Sequence, residues 1–429
     1  MRKNNIKIVA ADMGYGHQRP AHALKHLSSE PVYNINNYSG VPGWEKEYWE
    51  KSLKSYEKIS RLKKIPLFGT IVFKVMDAFQ KIKPLYPFRD LSRPTVQQKY
   101  FYSFIKKGLG SDLVKKIDKG NSIFLTTFFV AAYIAEYHNF SGDIYCIVCD
   151  TDASRAWAPI NPRNSRIKYF LPSEKVKERF LMYGMREENL FVTGFPIPKE
   201  LVGENKEEIK KQLKRRIVNL DPDGNYRKEY KNLLKNIVPD LEISETSNKP
   251  LTISFAVGGA GAQKEIGKKL LEELILPIKN NKIKLNLIAG VRPEVKDYFN
   301  ECIKENNLNN QENKVEIIFE RKKDDYFEKF NKVLKKTDIL WTKPSELSFF
   351  CGVGLPIIIT SPIGSQEDFN REWIISMGGG VDSLEIEHVE EWLPKLIKSG
   401  RLARAAVDGF LNAENEGVLN IEKVLNFEK

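Results

Sequence analysis

Strand-length apolar runs alternate with helix-period patterns along most of this chain. Residues 6–11 read as a first strand and 16–27 as the helix after it. Further strands are expected near 122–125, 144–149, 167–171 and 190–192, with a helix over 173–183. Such a βα rhythm predicts an α/β fold with parallel sheets. Residues 199–249 break it: this stretch is charged and poor in strand signals, and reads as a junction carrying added surface helices. The rhythm restarts with strands at 251–256, 283–289, 315–319, 339–341 and 356–360, and the tail from 387 to 429 reads as helices only. The architecture thus occurs twice, each half opened by a strand and a glycine loop.

Composition agrees with packed cores. The chain has 429 residues, 41% hydrophobic and 11% aromatic, which suits two or three domains and excludes a disordered chain or a fibre. Lys and Arg number 68 against 56 Asp and Glu, a net charge of +12, a balance that suits nucleic acid, an anionic membrane or an anionic substrate. No nucleic-acid motif accompanies the charge, so a nucleic-acid partner is not expected. The longest apolar run, 123–135, is too short to span a bilayer, and the N-terminus lacks a secretory signal pattern. Four cysteines make no disulfide framework. Cys146 and Cys149 form a CxxC within an expected strand, where residues three apart face opposite ways, so they read as structural. A cytoplasmic chain is the expectation.

The candidate chemistry sits at three loops. The first, 12–17, follows the first strand and leads into a helix; Gly14 and Gly16 would let a ligand approach the backbone, and the helix N-terminus favours an anion. It is not the dinucleotide fingerprint, since Arg19 stands at the third glycine's place, and a plain tight turn is the alternative. His17 at this mouth could take a proton from an attacking hydroxyl. His22 and His26 lie four apart on one helix, but without a third ligand they read as a packed or surface pair, and no metal is expected. The second loop, Gly258, Gly259 and Gly261 before a helix, repeats the anion-binding geometry. The third region holds Lys343, suited to phosphate, and Glu346, Gln366 and Glu367, suited to sugar hydroxyls; solvated surface positions are the alternative for each.

In sequence these features carry a resemblance. The stretch DMGYGHQRPAHAL, the run from Ile147 through CDTDASRAW to Trp157, then Pro172-Ser173-Glu174, Gly184 and VTGFP ending at Pro196 follow the diacylglycerol glycosyltransferases in order and spacing. VGGAGAQ is similar to the glycine loop of the peptidoglycan enzyme that adds GlcNAc to lipid I, and TKP, GLP and GSQE resemble the donor-binding block of both. The chain therefore resembles the GT-B glycosyltransferases of the group that holds monogalactosyldiacylglycerol synthase and the lipid I enzyme. That resemblance implies two Rossmann-like domains facing across a cleft, an acceptor half and a UDP-sugar half, with final helices crossing back. The boundaries expected are 1–198 for the acceptor domain, 199–249 for the junction, 250–400 for the nucleotide-sugar domain and 401–429 for the returning helices.

By match to the family, His17 falls on the base, Gly258, Gly259 and Gly261 on the diphosphate loop, and Gln366 and Glu367, just after Gly364, on the sugar-binding pair. Gly14, Gly16, Asp150, Asp152 and Trp157 belong to the acceptor side, where Asp150 and Asp152 bind acceptor or orient a partner; Lys343 or Arg292 adds charge at the diphosphate. The family's ribose-binding glutamate lands on Phe349, with Glu346 one turn earlier as the candidate substitute, and its histidine after the tryptophan is replaced by Ala158-Pro159. The implied reaction is an inverting, metal-independent transfer from a UDP-sugar co-substrate, with no other cofactor, to a hydroxyl acceptor. Residues 61–89 carry seven basic groups and one acidic, with Phe68, Val72, Val75, Phe79 and Ile82 at helical spacing, which suits an anionic membrane surface or, more plainly, packing against the domain. Together these favour a lipid acceptor and a peripheral place on the inner membrane face. Two other readings share the fold: a non-hydrolysing UDP-GlcNAc epimerase, and a catalytically degenerate protein that binds nucleotide sugar or lipid.

Overall fold

The computed structural model describes residues 5–62, 82–258, 261–309, 311, 313–362 and 365–427, with side chains at 53–62, 365 and 427 left aside. The chain divides into two compact units. One comprises Met1–Pro196, Gly364–Phe369 and Glu416–Lys429; the other comprises Ile197–Ile363 and Asn370–Asn415.

The first unit is built on a parallel sheet of six strands: β1 (Ile6–Ala10), β2 (Tyr33–Asn34), β3 (Ile123–Thr126), β4 (Ile144–Ile147), β5 (Lys168–Leu171) and β6 (Leu190–Val192), in the order β2-β1-β3-β4-β5-β6. Its central strands are mostly apolar because helices cover both faces; all five residues of β1 are buried, including Lys7, whose ammonium pairs with Glu30. Register places Ile6 opposite Ile123 and Val9 opposite Thr126, so the loops after β1 and β3 emerge side by side. The second unit repeats the plan with β7 (Leu251–Ala256), β8 (Ile283–Gly290), β9 (Val315–Phe319), β10 (Ile339–Thr342), β11 (Ile357–Ile359) and β12 (Gly380–Asp382), all parallel, in the order β12-β11-β10-β7-β8-β9. Here β7 and β10 lie side by side, with Ala256 opposite Thr342, which brings the loops after them together.

Three expectations need correction. The segment 199–249 is not a surface addition. Its main helix, Glu207–Leu220, buries Ile209, Leu213, Ile217 and Leu220 along one stripe, and Leu213, Ile217, Leu220, Tyr226, Leu234, Ile237 and Val238 belong to the core of the second unit. Fully buried Arg216 ties this helix to the sheet layer, donating to the carbonyls of Thr337, Val353, Gly354 and Leu334. The returning tail is also shorter than the expected 401–429. The helix Arg401–Asn412 belongs to the second unit because Leu402, Ala403, Ala406 and Val407 lie in that core, and Glu416–Lys429 alone groups with the first. Finally, β4 ends at Ile147, so Cys149 lies beyond the strand; all four cysteines are buried and none is in a disulfide.

Candidate active site

In the first unit the loop after β1 turns at Gly14, whose φ of 121° is a conformation open to glycine, and the helix Tyr15–Ala23 starts directly after it, with Gly16 as its second residue and His17 as its third. Asn36 secures the loop from the side: its Oδ1 accepts from the Asp12 amide at 2.8 Å and its Nδ2 donates to the Asp12 carbonyl at 3.1 Å. His17 is clamped to the loop after β3. Its Nδ1 lies 2.7 Å from the Thr127 carbonyl, and the Thr127 hydroxyl donates back to the His17 carbonyl at 2.6 Å. A carbonyl only accepts, so Nδ1 carries the proton and the neutral ring holds its basic lone pair on Nε2. Phe128 stands edge-on to the imidazole at 5.1 Å and Trp157 lies 6.2 Å away, itself against Phe129 at 5.0 Å. Trp49 extends this aromatic wall by meeting Phe128 at 6.2 Å.

The two acidic acceptor-side candidates part company. Asp150 is half-buried in the turn after β4. Asp152 is buried, and Arg179 grips it with two charge-assisted hydrogen bonds, Nε to Oδ1 at 2.9 Å and Nη2 to Oδ2 at 2.8 Å, while the Ala153 amide also donates to Oδ1. Arg179 donates onward to the Lys83 carbonyl at 2.7 Å. Asp152 therefore fixes the helix Glu174–Met182 against the loop after β4 rather than presenting a carboxylate to an acceptor. His22 is buried, and His26 Nε2 meets Glu422 at 2.7 Å within the same unit. Among the described residues no three His, Cys, Asp or Glu side chains gather as a metal site.

In the second unit the loop after β7 carries Gly258 and Gly261; Gly259 lies outside the described residues, as does Gly364. The Gly261 amide donates to the Gly258 carbonyl at 2.7 Å, and Gly261 and Gln263 both take positive φ, 71° and 65°, before the helix Lys264–Glu273 begins. Two cations close on this loop. A Cβ added at Gly258 would stand 2.5 Å from Lys343 Cε, and one at Gly261 would stand 3.4 Å from Arg292 Cδ and 3.0 Å from Val295. Lys343 follows β10, and Arg292 caps the helix Pro293–Glu305 after β8. The glycines thus let two basic side chains lie along the backbone of a loop that opens a helix, an arrangement suited to a diphosphate. Gln263 locks the loop to the end of β11: Thr360 Oγ1 donates to its Oε1 at 2.8 Å, and its Nε2 donates to the Ser361 carbonyl at 2.9 Å.

The remaining donor candidates fall in different units. Glu346 is half-buried at the first position of the 3-10 helix Glu346–Val353, opened by Ser345, whose hydroxyl accepts from the Leu347 amide. Phe349 is core, 5.0 Å from the Trp373 ring, and presents nothing to a ribose. Gln366 and Glu367 are half-buried in the first turn of the helix Ser365–Ser376, and that turn groups with the first unit while the rest of the helix groups with the second. They are not brought together with Lys343 and Gly258 inside one unit. The sequence reading missed Thr127, Asn36, Gln263 and Thr360, which hold the loops rather than stand in them. Their one signal was position: Thr127 and Thr360 directly follow parallel strands, where such folds gather ligands.

Comparison with known proteins completes the picture. Residues 224–421 match the model of the domain of unknown function DUF6938. The processive diacylglycerol beta-glucosyltransferase of Bacillus subtilis (strain 168) is 22% identical over 302 residues, 69% of this chain; the match covers 66% of that enzyme's length, slightly under two thirds. The UDP-GlcNAc 2-epimerase of Neisseria meningitidis, solved bound to UDP-GlcNAc, superposes with a TM-score of 0.50 at 13% identity, over 98% of this chain and 99% of its own. The fold is GT-B. MurG of Acinetobacter baumannii gives a TM-score of 0.47 at 11% identity over 99% of both chains. The two Rossmann-like units expected from the motifs are present, and the diacylglycerol glycosyltransferase relative bears out the resemblance read from them.

Proposed function

We propose that this protein is an inverting, metal-independent glycosyltransferase that moves a sugar from a UDP-sugar to the hydroxyl of a lipid at a membrane surface. The observation that carries the reading is the fixed imidazole: the Thr127 carbonyl at Nδ1 sets His17 in the tautomer whose Nε2 accepts a proton. The acceptor oxygen attacks the anomeric carbon, the bond from that carbon to the diphosphate breaks, and UDP departs with the electron pair while Nε2 takes the hydroxyl proton. A single displacement inverts the anomeric centre. Charge growing on the diphosphate is stabilised by loop amides near Gly258 and Gly261, with Lys343 and Arg292 beside them. Gln366 and Glu367 are proposed for the sugar, Glu346 for the ribose, and the wall of Trp157, Phe128 and Phe129 for the acceptor.

The diacylglycerol-glucosylating relative supports the lipid acceptor. No helix among the described residues is long and apolar enough to cross a membrane. Of the residues read as an amphipathic membrane face, Phe68, Val72, Val75 and Phe79 lie outside the described residues, and Ile82 is buried. Tyr86, Phe88, Val96 and Tyr100 in the first unit are more than half exposed and support the surface reading better. Acceptor-dependent UDP release, unchanged in EDTA and giving a product of inverted configuration, tests the proposal; release that needs added metal or retains configuration counts against it.

One second reading has an observation behind it. The likeness in fold to a UDP-GlcNAc 2-epimerase favours an enzyme that alters its nucleotide sugar without an acceptor. Conversion of UDP-GlcNAc in the absence of lipid would select it.

A further inference from the structure

The helix that follows the second glycine loop is entered through a residue other than glycine in the left-handed region. Gln263 is its N-cap, at φ 65° and ψ 22°, and no side chain caps the helix Lys264–Glu273. A capping side chain would accept from the first-turn amides and satisfy them. Gln263 commits its carboxamide to the loop after β11 instead, accepting from Thr360 Oγ1 at 2.8 Å and donating to the Ser361 carbonyl at 2.9 Å. Thr360 is a firm anchor. It is buried, its own amide donates to the Thr342 carbonyl at 3.0 Å, and Thr342 Oγ1 donates to the Ala256 carbonyl at 3.2 Å. This chain of bonds ties the start of the helix to the ends of the neighbouring strands β11, β10 and β7. Lys343 follows Thr342 directly and lies along Gly258, so the same clasp sets the helix start against that cation.

The bonding inside the loop shows which amides remain for a ligand. The Gly261 amide donates to the Gly258 carbonyl at 2.7 Å, and the Gly258 amide donates to the Ala262 carbonyl at 3.4 Å. These two hold the loop in shape. The amides of Lys264 and Glu265, in the first turn, have no acceptor within the helix and carry its positive end. We infer that Gln263 is a positioning residue for the diphosphate. By clasping Thr360 and Ser361 rather than capping its own helix, it leaves the first-turn amides open and fixes them beside Lys343, so that amides and ammonium meet the same anion. The inference rests on the reading of this loop as the diphosphate site, and on no part of the transfer step. The length of the side chain is what the clasp requires. Asparagine keeps the carboxamide and tolerates positive φ, but it is one methylene too short to hold the same bonds.

Calorimetric titration of the full chain with UDP, beside a ligand-observed NMR titration with uridine, tests it. Gln263→Asn and Thr360→Val are compared with wild type, singly and combined. Each single variant is expected to weaken UDP binding about fivefold or more while uridine affinity stays within about twofold, because only the phosphate contacts depend on the clasp. The double variant should match the weaker single within about twofold, since both substitutions remove one clasp. Thermal unfolding near wild type in both singles accompanies this result. UDP affinity unchanged in both variants overturns the inference and leaves the diphosphate site standing. Equal loss of UDP and uridine, or losses that add in the double variant, overturns it in favour of a general structural role. Absence of UDP binding in wild type overturns the diphosphate reading and the inference with it.

Discussion

The Thr127 carbonyl decides what His17 can do, because an imidazole whose Nδ1–H is committed at 2.7 Å works as a base from its other nitrogen. His17→Gln is expected to lower kcat by about 10²- to 10⁴-fold while leaving UDP affinity and thermal stability near wild type; a loss of UDP affinity of the same size would mean a structural role. At the other loop, Gly258→Ala puts a methyl group 2.5 Å from Lys343 Cε and pushes the ammonium aside. UDP affinity should then fall about tenfold or more, measured by calorimetry, the loss of a charge-assisted contact. Asp152 belongs to stability instead. With both carboxylate oxygens held by buried Arg179, Asp152→Ala is expected to cost about 3–5 kcal/mol in urea unfolding. Such a pair is hard to read from sequence, because its partners lie 27 residues apart and the Asp-x-Asp spacing suggests a ligand role. A buried carboxyl nearer the N-terminus sets a pH dependence. Glu45 is 1% exposed with Oε2 unpartnered, and burial, opposed by the Gly110 amide, raises its pKa from 4.5 to about 7. A carboxyl that holds its proton more tightly when folded favours folding at low pH, and that contribution fades as pH rises from about 4.5 to about 7. Glu45→Gln should therefore match wild type near pH 4 and exceed it by about 3 kcal/mol at pH 8.

Among the elements, strands were the more legible, and for a physical reason. Parallel strands buried on both faces read as largely apolar runs, as in β8, IKLNLIAG, or the all-buried β1, and their ends can be seen where glycine or charge begins. The edge strands β2 and β12, of two and three residues, carry too little apolar sequence to be seen. The helix Glu207–Leu220 was misjudged for the opposite reason. Its charge dominates the composition, while four apolar residues at 209, 213, 217 and 220 decide its place. Leu213 also packs so near Gly354 that a Cβ there would stand 2.8 Å away. Leu213→Ala is accordingly expected to destabilise the second unit by about 2–5 kcal/mol in denaturant titration, whereas a surface helix would lose well under 1 kcal/mol. The glycine loops were legible in both units because tight strand-to-helix turns need glycine where φ is positive, as at Gly14 and Gly261. The residues that pin those loops were not, since Asn36, Gln263 and Thr360 act through contacts that tertiary structure alone creates.

At the scale of the molecule, the chain joins two Rossmann-like units, the second carrying the glycine loop with its two cations, in one GT-B protein with a net charge of +12. The exposed Tyr86 and Phe88 make a definite prediction: replacing both with serine should reduce co-sedimentation with phosphatidylglycerol vesicles severalfold without changing turnover of a soluble acceptor. The central claim is transfer itself, and UDP release tests it most directly. A panel of UDP-sugars, with and without extracted lipids, is to be compared between wild type and His17→Ala. The account predicts release from one sugar that requires lipid and falls at least a hundredfold in the variant. Release that ignores lipid, survives loss of His17, or gives way to acceptor-free conversion of the UDP-sugar would contradict it.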